Sequence, residues 1–270
     1  MMCEEHRLDG QARPMLREAV VTSNEAVSAD VWLVTLESPE VASTVAPGQF
    51  VHLKIATGRD FILRRPFSVY SADAERIEIL YQLVGRGTHE LSLAEPGDRM
   101  DLIGPLGTGW EIPEAPVRAL LVAGGLGVAP LRMLAEALTR AGSTVALAYG
   151  APTAERLTGV EIFSAAGCQV MSCTDDGSAG THGLVTLASG DLLGTGEVDI
   201  VYTCGPEVMQ RAVAAQARDA GVRCQVSLER LMACGIGACL SCIVPTTAGQ
   251  RRACVDGPVF NAEDVIWGDS

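Results

Sequence analysis

Basic residues are scarce in this chain of 270 residues: 20 Lys and Arg stand against 33 Asp and Glu, for a formal net charge of −13. A protein that neutralises nucleic-acid phosphates needs a broad basic surface, so no nucleic-acid partner is expected. An unbroken apolar stretch of membrane-spanning length is also missing. The richest stretch, Ala119 to Leu131, is interrupted by Gly124, Gly125, Gly127 and Pro130, whereas a spanning helix needs about 20 consecutive apolar residues. No membrane association is therefore expected. The opening residues MMCEEHRLDGQARPM lack the apolar centre of a secretory signal, which makes the cytoplasm the expected location. The nine cysteines are odd in number, and without an export signal they do not read as a disulfide framework.

Four of those cysteines carry a pattern of their own. The segment CGIGACLSCIVPTTAGQRRAC spaces them as Cys234-x4-Cys239-x2-Cys242-x11-Cys254. That is the plant-type [2Fe-2S] ligand spacing, in which four thiolates hold two irons. Four thiolates also suit a structural zinc ion, although common zinc sites use two C-x2-C pairs and only Cys239 and Cys242 have that spacing. Cys168, Cys173 and Cys224 read as small buried hydrophobes.

The rest of the chain divides by hydrophobic period. Residues 1–18 are polar and aperiodic and read as a tail. Short alternating segments follow, among them Val31–Leu36, Phe50–Ile55 and Ile77–Val84, with Gly and Pro turns between them. Strands at this spacing predict an antiparallel barrel over 19–115. From Val117 the pattern becomes strand–helix alternation. Strands are predicted at Arg118–Ala123, Thr144–Tyr149, Cys168–Cys173, Asp199–Cys204 and Cys224–Leu228, with helices at Pro130–Arg140 and Glu207–Ala220. This predicts a parallel α/β sheet over 116–228, followed by a small cysteine-bearing unit over 229–270.

The segment Val122-Ala-Gly-Gly-Leu-Gly-Val-Ala-Pro-Leu131 follows a strand and opens a helix. Glycines there permit close backbone approach to a pyrophosphate, which the helix N-terminus attracts. Gly125 and Gly127 fit the G-x-G-x-x-G pattern, but its third position is Pro130; a plain packing turn fits the residue types as well. Arg156, beside Glu155, is the only cation near the end of the next strand. A 2′-phosphate calls for a basic cluster, so NAD is the expected nucleotide. The loop Thr174–Ser178, which contains Asp176, suits either a cofactor contact or a polar loop. Cys204-Gly205-Pro206 follows another strand, at the sheet edge where ligands bind.

In the barrel half, Arg65-Pro66-Phe67-Ser68 could clamp a phosphate through arginine and present a serine hydroxyl to a ring. Gly85-Arg-Gly-Thr-His89 could offer backbone amides to a pyrophosphate. Surface charges and a satisfied strand hydroxyl explain the same residues.

In this order the motifs resemble the ferredoxin–NADP reductase superfamily. Its flavin barrel carries R-x-[FY]-S, here Arg65–Ser68, and its nucleotide domain carries GGxGxxP, here Gly124–Pro130, with a late CGP, here Cys204–Pro206. The four-cysteine unit after Val226–Ala233 and the closing Gly257-Pro-Val-Phe260 narrow the resemblance to the electron-transfer subunits of NAD-dependent, class 1B dihydroorotate dehydrogenases, over about residues 18–267.

That resemblance implies an oxidoreductase subunit of de novo pyrimidine (UMP) biosynthesis with FAD, one [2Fe-2S] cluster and NAD. Its partner would be an FMN-containing dihydroorotate dehydrogenase subunit in an α2β2 heterotetramer. Electrons would run from FMN through the cluster to FAD, and then as hydride to diffusible NAD+. Arg65, Pro66, Phe67, Ser68, Tyr81, Gln82, Gly87 and Thr88 would hold FAD. Gly124, Gly125, Gly127, Pro130, Asp176, Cys204, Gly205 and Pro206 would hold NAD. Ser68, Cys204 and Glu229 would flank the reacting rings, and Cys234, Cys239, Cys242 and Cys254 would ligate iron. Two departures stand out: a longer tail, and a short interval of eleven residues before Cys254, which bears on the hairpin around the cluster. A flavin and iron–sulfur subunit of another NAD(P)H system, such as a sulfide or ferredoxin reductase, uses the same parts; a structural-zinc nucleotide-binding protein is the non-redox alternative. His52, His89 and His182 stand apart from other ligand types and read as surface or hydrogen-bonded residues, and the tryptophans as packing residues.

Overall fold

A computed structural model describes residues 14–55 and 62–268 of the chain. The first unit contains β1 (Met15–Ala26), β2 (Val31–Glu37), β3 (Phe50–Lys54), β4 (Arg65–Ser68), β5 (Ser71–Ala72), β6 (Arg76–Gln82) and β7 (Arg99–Leu106), with short helices α1 (Pro39–Ala42) and α2 (Arg86–Leu91) between them. The strands form one antiparallel sheet in the order β4-β3-β7-β1-β2-β6-β5, the expected barrel. Alternation selects its inner face: Val34 and Leu36 of β2, Val51 and Leu53 of β3, and Ile77, Ile79 and Tyr81 of β6 share one core. Burial of each such aliphatic side chain stabilises by about 1.5–3 kcal/mol.

Most of the segment read as a tail lies outside the described residues, but its end corrects that reading. β1 begins at Met15, where Met15 pairs with Gly104 and Arg17 with Leu102 of β7. Met-Leu-Arg-Glu is not a strong strand signal by itself; the partner strand supplies its hydrogen bonds.

The second unit contains β8 (Arg118–Gly124), α3 (Arg132–Arg140), β9 (Thr144–Ala151), α4 (Val160–Ala165), β10 (Gln169–Thr174), β11 (Thr181–His182), α5 (Val185–Gly194), β12 (Ile200–Cys204), α6 (Glu207–Asp219) and β13 (Arg223–Ser227). Their strands lie parallel in the order β11-β10-β9-β8-β12-β13. Ala119–Ala123 and Ile200–Cys204 are buried throughout, as expected where helices or neighbouring units cover both faces. The helix expected from Pro130 begins differently. The chain winds as a 3-10 helix over Gly125–Leu131, and α-helical bonding starts at Arg132. Proline has no N–H to give and glycine tolerates the tighter winding.

The third unit holds a hairpin of β14 (Ile243–Thr246) and β15 (Gly249–Arg252), then β16 (Val259–Asn261). β16 pairs antiparallel with β13, with Val226 opposite Phe260, and becomes an edge strand of the parallel sheet. The hairpin packs against both other units: Cys242, Val244, Ala253 and Cys254 share one hydrophobic cluster with Phe50 and Leu106 of the barrel and Val226 of the sheet.

Candidate functional site

β8 lies between β9 and β12. The chain leaves β8 towards β9 and later returns to its other side as β12, so the carboxyl ends of β8 and β12 flank the point where strand order reverses. Ligands of open α/β sheets bind at that point. The glycine turn follows β8 and Cys204-Gly205-Pro206 follows β12, so both motifs converge there. A Cβ at Gly127 would stand 2.2 Å from the Cys204 carbonyl oxygen. Only glycine lets the two turns close on one another.

Two clefts meet at this seam. The larger, about 540 Å³, is walled on the barrel side by Pro66, Phe67 and Ser68 of β4, Tyr81 and Gln82 of β6, and Thr88 of α2. Leu126, Pro130 and Cys204 form its nucleotide-unit wall, and Leu228 and Glu229 its third side. The smaller, about 370 Å³, is lined by Gly124, Gly127, Gly205 and Pro206, with Gln210. Leu126, Leu228 and Glu229 border both clefts. Glu229 therefore stands between a flavin-sized groove and the glycine-lined phosphate turn.

The walls of this groove are braced. Phe67 meets Tyr81 edge-to-face, with centroids 6.1 Å apart, and Tyr81 Oη donates to Asn24 Oδ1 at 2.9 Å. Burial pushes the Tyr81 hydroxyl up to about 12, so it is a neutral donor. Gln82 Nε2 donates to Asp30 Oδ2 at 2.7 Å. Thr88 Oγ1 accepts from the Val84 and Gly85 amides at 2.9 and 3.2 Å, which shapes the loop entering α2. Arg65 turns beside Gly87, where its Nε would lie 3.4 Å from an added Cβ. Trp110 Nε1 donates to the Pro130 carbonyl at 2.9 Å and ties the end of the barrel to the glycine turn.

Cys204 is buried. Desolvation, with the charge of Glu229 adding to it, pushes its thiol up to about 12. It is a neutral group that lines the groove and not a thiolate nucleophile. Asp176 borders neither cleft: its carboxylate accepts from the Ser178 amide and hydroxyl at 2.9 and 2.6 Å, which closes its own loop. Arg156 ion-pairs with Asp30 of the barrel at 2.9 Å.

The eleven-residue interval before Cys254 is the β14–β15 hairpin, which returns Cys254 beside Cys242; Ala253 N donates to Cys242 O at 2.9 Å. Both thiols are buried, whereas Cys239 is exposed. The Cys239 amide reaches Cys234 Sγ at 3.4 Å, and Cys239 Sγ lies 3.2 Å from Ser241 Oγ. Hydrogen bonds from Ser241 bring the Cys239 thiol down to about 6, and burial beside Cys242 pushes Cys254 up to about 12. Among the described residues no set of three or more His, Cys, Asp or Glu closes to metal-holding distance. The loop thus brings the Cys239 amide to Cys234, and the hairpin brings Cys254 to Cys242, all four as free thiols. This all-sulfur donor set on one loop and one hairpin suits an iron–sulfur cluster.

His52 corrects the sequence reading. It is fully buried on β3, and neither ring nitrogen has a hydrogen-bond partner. It sits against Gly235, next to the first cysteine of the set. The available signal was strand alternation: Val51 and Leu53 face the barrel core, so His52 had to face whatever covers the other side.

Comparison with known proteins agrees with this anatomy. The family model described as the iron-sulfur cluster binding domain of dihydroorotate dehydrogenase B matches residues 229–266, and an oxidoreductase NAD-binding domain matches residues 121–215. Among curated proteins, the dihydroorotate dehydrogenase B (NAD+) electron transfer subunit of Caldanaerobacter subterraneus subsp. tengcongensis is 41% identical over 254 residues, covering 93% of this chain and 98% of that protein. The subunit of the same name from Bacillus caldolyticus is 40% identical, covering 91% and 96%. A chain from the solved structure of an NADH-dependent reduced ferredoxin-NADP oxidoreductase is 34% identical with TM-score 0.84, covering 96% and 92%. A ferredoxin reductase of carbazole 1,9a-dioxygenase, 23% identical with TM-score 0.67, shares the fold over 78% of this chain and 67% of its own. The barrel, the switch-point groove and the four-cysteine hairpin thus occur together with full-length similarity, and the chain belongs to the family of dihydroorotate dehydrogenase B (NAD+) electron transfer subunits.

Proposed function

We propose that this chain carries electrons from an FMN-containing dihydroorotate dehydrogenase subunit, through a [2Fe-2S] cluster and FAD, to NAD+ in pyrimidine biosynthesis. The observation that carries this reading is the groove itself: Pro66–Ser68 and Tyr81, Leu126 and Pro130, Cys204, and Glu229 line one cleft, while the cysteine hairpin packs on Phe50 and Leu106 of the same barrel. When bound, the cluster passes single electrons and FAD links them to two-electron hydride transfer to NAD+. Arg65–Ser68, Tyr81, Gln82, Gly87 and Thr88 hold the flavin. Gly124, Gly125, Gly127, Pro130, Gly205 and Pro206 hold the nucleotide, while Asp176 shapes its own loop outside the clefts. Phe67, Leu126 and Leu228 exclude water, and Ser68, Cys204 and Glu229 orient the facing rings. Cys234, Cys239, Cys242 and Cys254 are the iron ligands.

The barrel over 19–115, extended back to Met15, the nucleotide unit over 116–228 and the cluster unit over 229–270 then act as three stations. The complex is α2β2. Its place is the cytoplasm, in keeping with the absence, among the described residues, of any helix long and apolar enough to cross a membrane. NAD is the nucleotide because Arg156, the nearby cation, is engaged by Asp30.

Cys239→Ser tests the path. It is expected to abolish cluster absorbance and dihydroorotate-dependent NADH formation in the complex, and to leave FAD-dependent NADH oxidation with an artificial acceptor. Full coupled turnover in that variant overturns the route. The similarity to the NADH-dependent ferredoxin-NADP oxidoreductase chain supports a second reading, an FAD and iron–sulfur subunit of a ferredoxin-linked enzyme. Copurification with a dehydrogenase subunit and dihydroorotate-driven NAD+ reduction separates the two.

A further inference from the structure

His52 is the one fully buried histidine among the described residues, and neither of its ring nitrogens meets a hydrogen-bond partner. The backbones of Arg64 and Cys234 lie close to the ring, yet neither offers the alignment of a hydrogen bond. Buried polar side chains without partners are rare and call for an explanation. A leucine would fill the same space without that cost.

The position of the ring supplies the explanation. Through its backbone, His52 pairs with Pro66 of the flavin-motif strand and with Ile103 of β7. Its neighbour Phe50 lies in the cluster of side chains that holds Cys242 and Cys254, so this face of β3 lies under the cysteine unit. The imidazole abuts the turn after the first cysteine: a Cβ at Gly235 would stand 2.4 Å from His52 Nδ1. Gly235 also has φ +70°, where other residues are strained. The backbone of the cysteine turn therefore rests directly on the ring. The Arg64 guanidinium, whose charge reaches the ring, is paired with Asp101 at 2.8 Å.

We propose that His52 is a positioning residue for the iron–sulfur centre: its imidazole seats the Cys234–Gly235 turn against the flavin-motif strand and donates a hydrogen bond to sulfur on the Cys234 side of the bound cluster. This rests on the reading of Cys234, Cys239, Cys242 and Cys254 as cluster ligands. Hydrogen bonds to cluster sulfurs favour the reduced, more negative state and raise the reduction potential. The same residue then links the two stations between which the electron moves.

The test uses the complex with its partner, purified without oxygen and carrying 15N-histidine. Electron spin echo spectra of the reduced cluster are expected to show a weak 15N coupling, lost in His52→Gln and unaffected by His89→Gln. In His52→Leu the equilibrium for reducing the cluster is expected to fall about tenfold, a lowering of about 59 mV for a one-electron couple, with flavin content and flavin potential unchanged. His52→Gln, which keeps a donor, recovers part of that shift. A native cluster without histidine coupling, or a His52→Leu cluster of native potential, overturns this proposal alone. Wild-type protein with flavin but no iron–sulfur absorbance overturns the ligand reading and this proposal with it. The coupling is read in unaltered protein, so a variant that fails to assemble leaves the test intact.

Discussion

At the residue scale, thiol chemistry divides the cysteines by environment. Burial pushes Cys168 up to about 11 and Cys204 and Cys224 up to about 12, whereas Ser241 brings Cys239 down to about 6. The first three are packing groups, and the fourth is disposed to be a thiolate. A pH dependence follows. In the unfolded chain each buried thiol titrates at about 8.5. The folded chain therefore keeps protons that the unfolded chain has lost, and stability falls as pH rises. The contribution is complete below about pH 8.5 and disappears progressively as pH climbs towards 11 to 12. Denaturant midpoints at pH 8, 9.5 and 10.5 are expected to decline, with a shallower decline in Cys224→Ala. Equal slopes in the two proteins contradict this account.

Residue identity also revealed unequal amounts of the site. Cys234, Cys239, Cys242 and Cys254 were legible as a candidate ligand set because metal ligation demands a residue type at a fixed spacing. Gly127 was legible as part of a glycine-rich turn, whereas its close approach to the Cys204 carbonyl oxygen was not. Histidine has too many roles for its type to identify one, and the role of His52 depends on a turn more than 180 positions away in the sequence.

At the scale of elements, the strands predicted from Val31, Ile77 and Thr144 lie within two residues of the observed ones, because apolar runs bounded by turns are local information. The start of α3 was less legible. Glycines disfavour α-helical winding, and the 3-10 segment Gly125–Leu131 precedes the first α-helical turn. β16 was not legible at all: Val259–Asn261 is a strand because β13 lies beside it. The 3-10 segment is held from outside by Trp110, whose Nε1 donates to the Pro130 carbonyl. Trp110→Phe leaves that buried carbonyl without its donor, at a cost of about 1–3 kcal/mol. Its melting temperature is expected to fall and its KM for NAD+ to rise several-fold, with FAD retained. An unchanged KM indicates that the turn keeps its shape without the tether.

At the scale of the whole molecule, Asp30 joins the barrel to the nucleotide unit: it accepts from Gln82 at 2.7 Å and pairs with Arg156 at 2.9 Å. This contact takes up the cation that would otherwise suit a 2′-phosphate. In Asp30→Asn the ratio of kcat/KM for NADPH over NADH in the diaphorase reaction is expected to rise about threefold to tenfold. That corresponds to about 0.7–1.4 kcal/mol in the transition state. A ratio unchanged in flavin-loaded protein shows that Arg156 lies out of reach of the nucleotide.

The sequence by itself determined the cofactor set and the order of the stations. Phosphate turns, a flavin motif and sulfur ligands are short-range patterns, and a change from period two to strand–helix alternation marks each sheet. Only the tertiary structure decided that Glu229 stands between two clefts, that β16 joins the last unit to the nucleotide sheet, and that His52 bears on the Cys234–Gly235 turn. Each of these depends on surfaces brought together from distant parts of the chain. Such contacts are selected by packing and burial across the whole molecule, which local spacing does not encode.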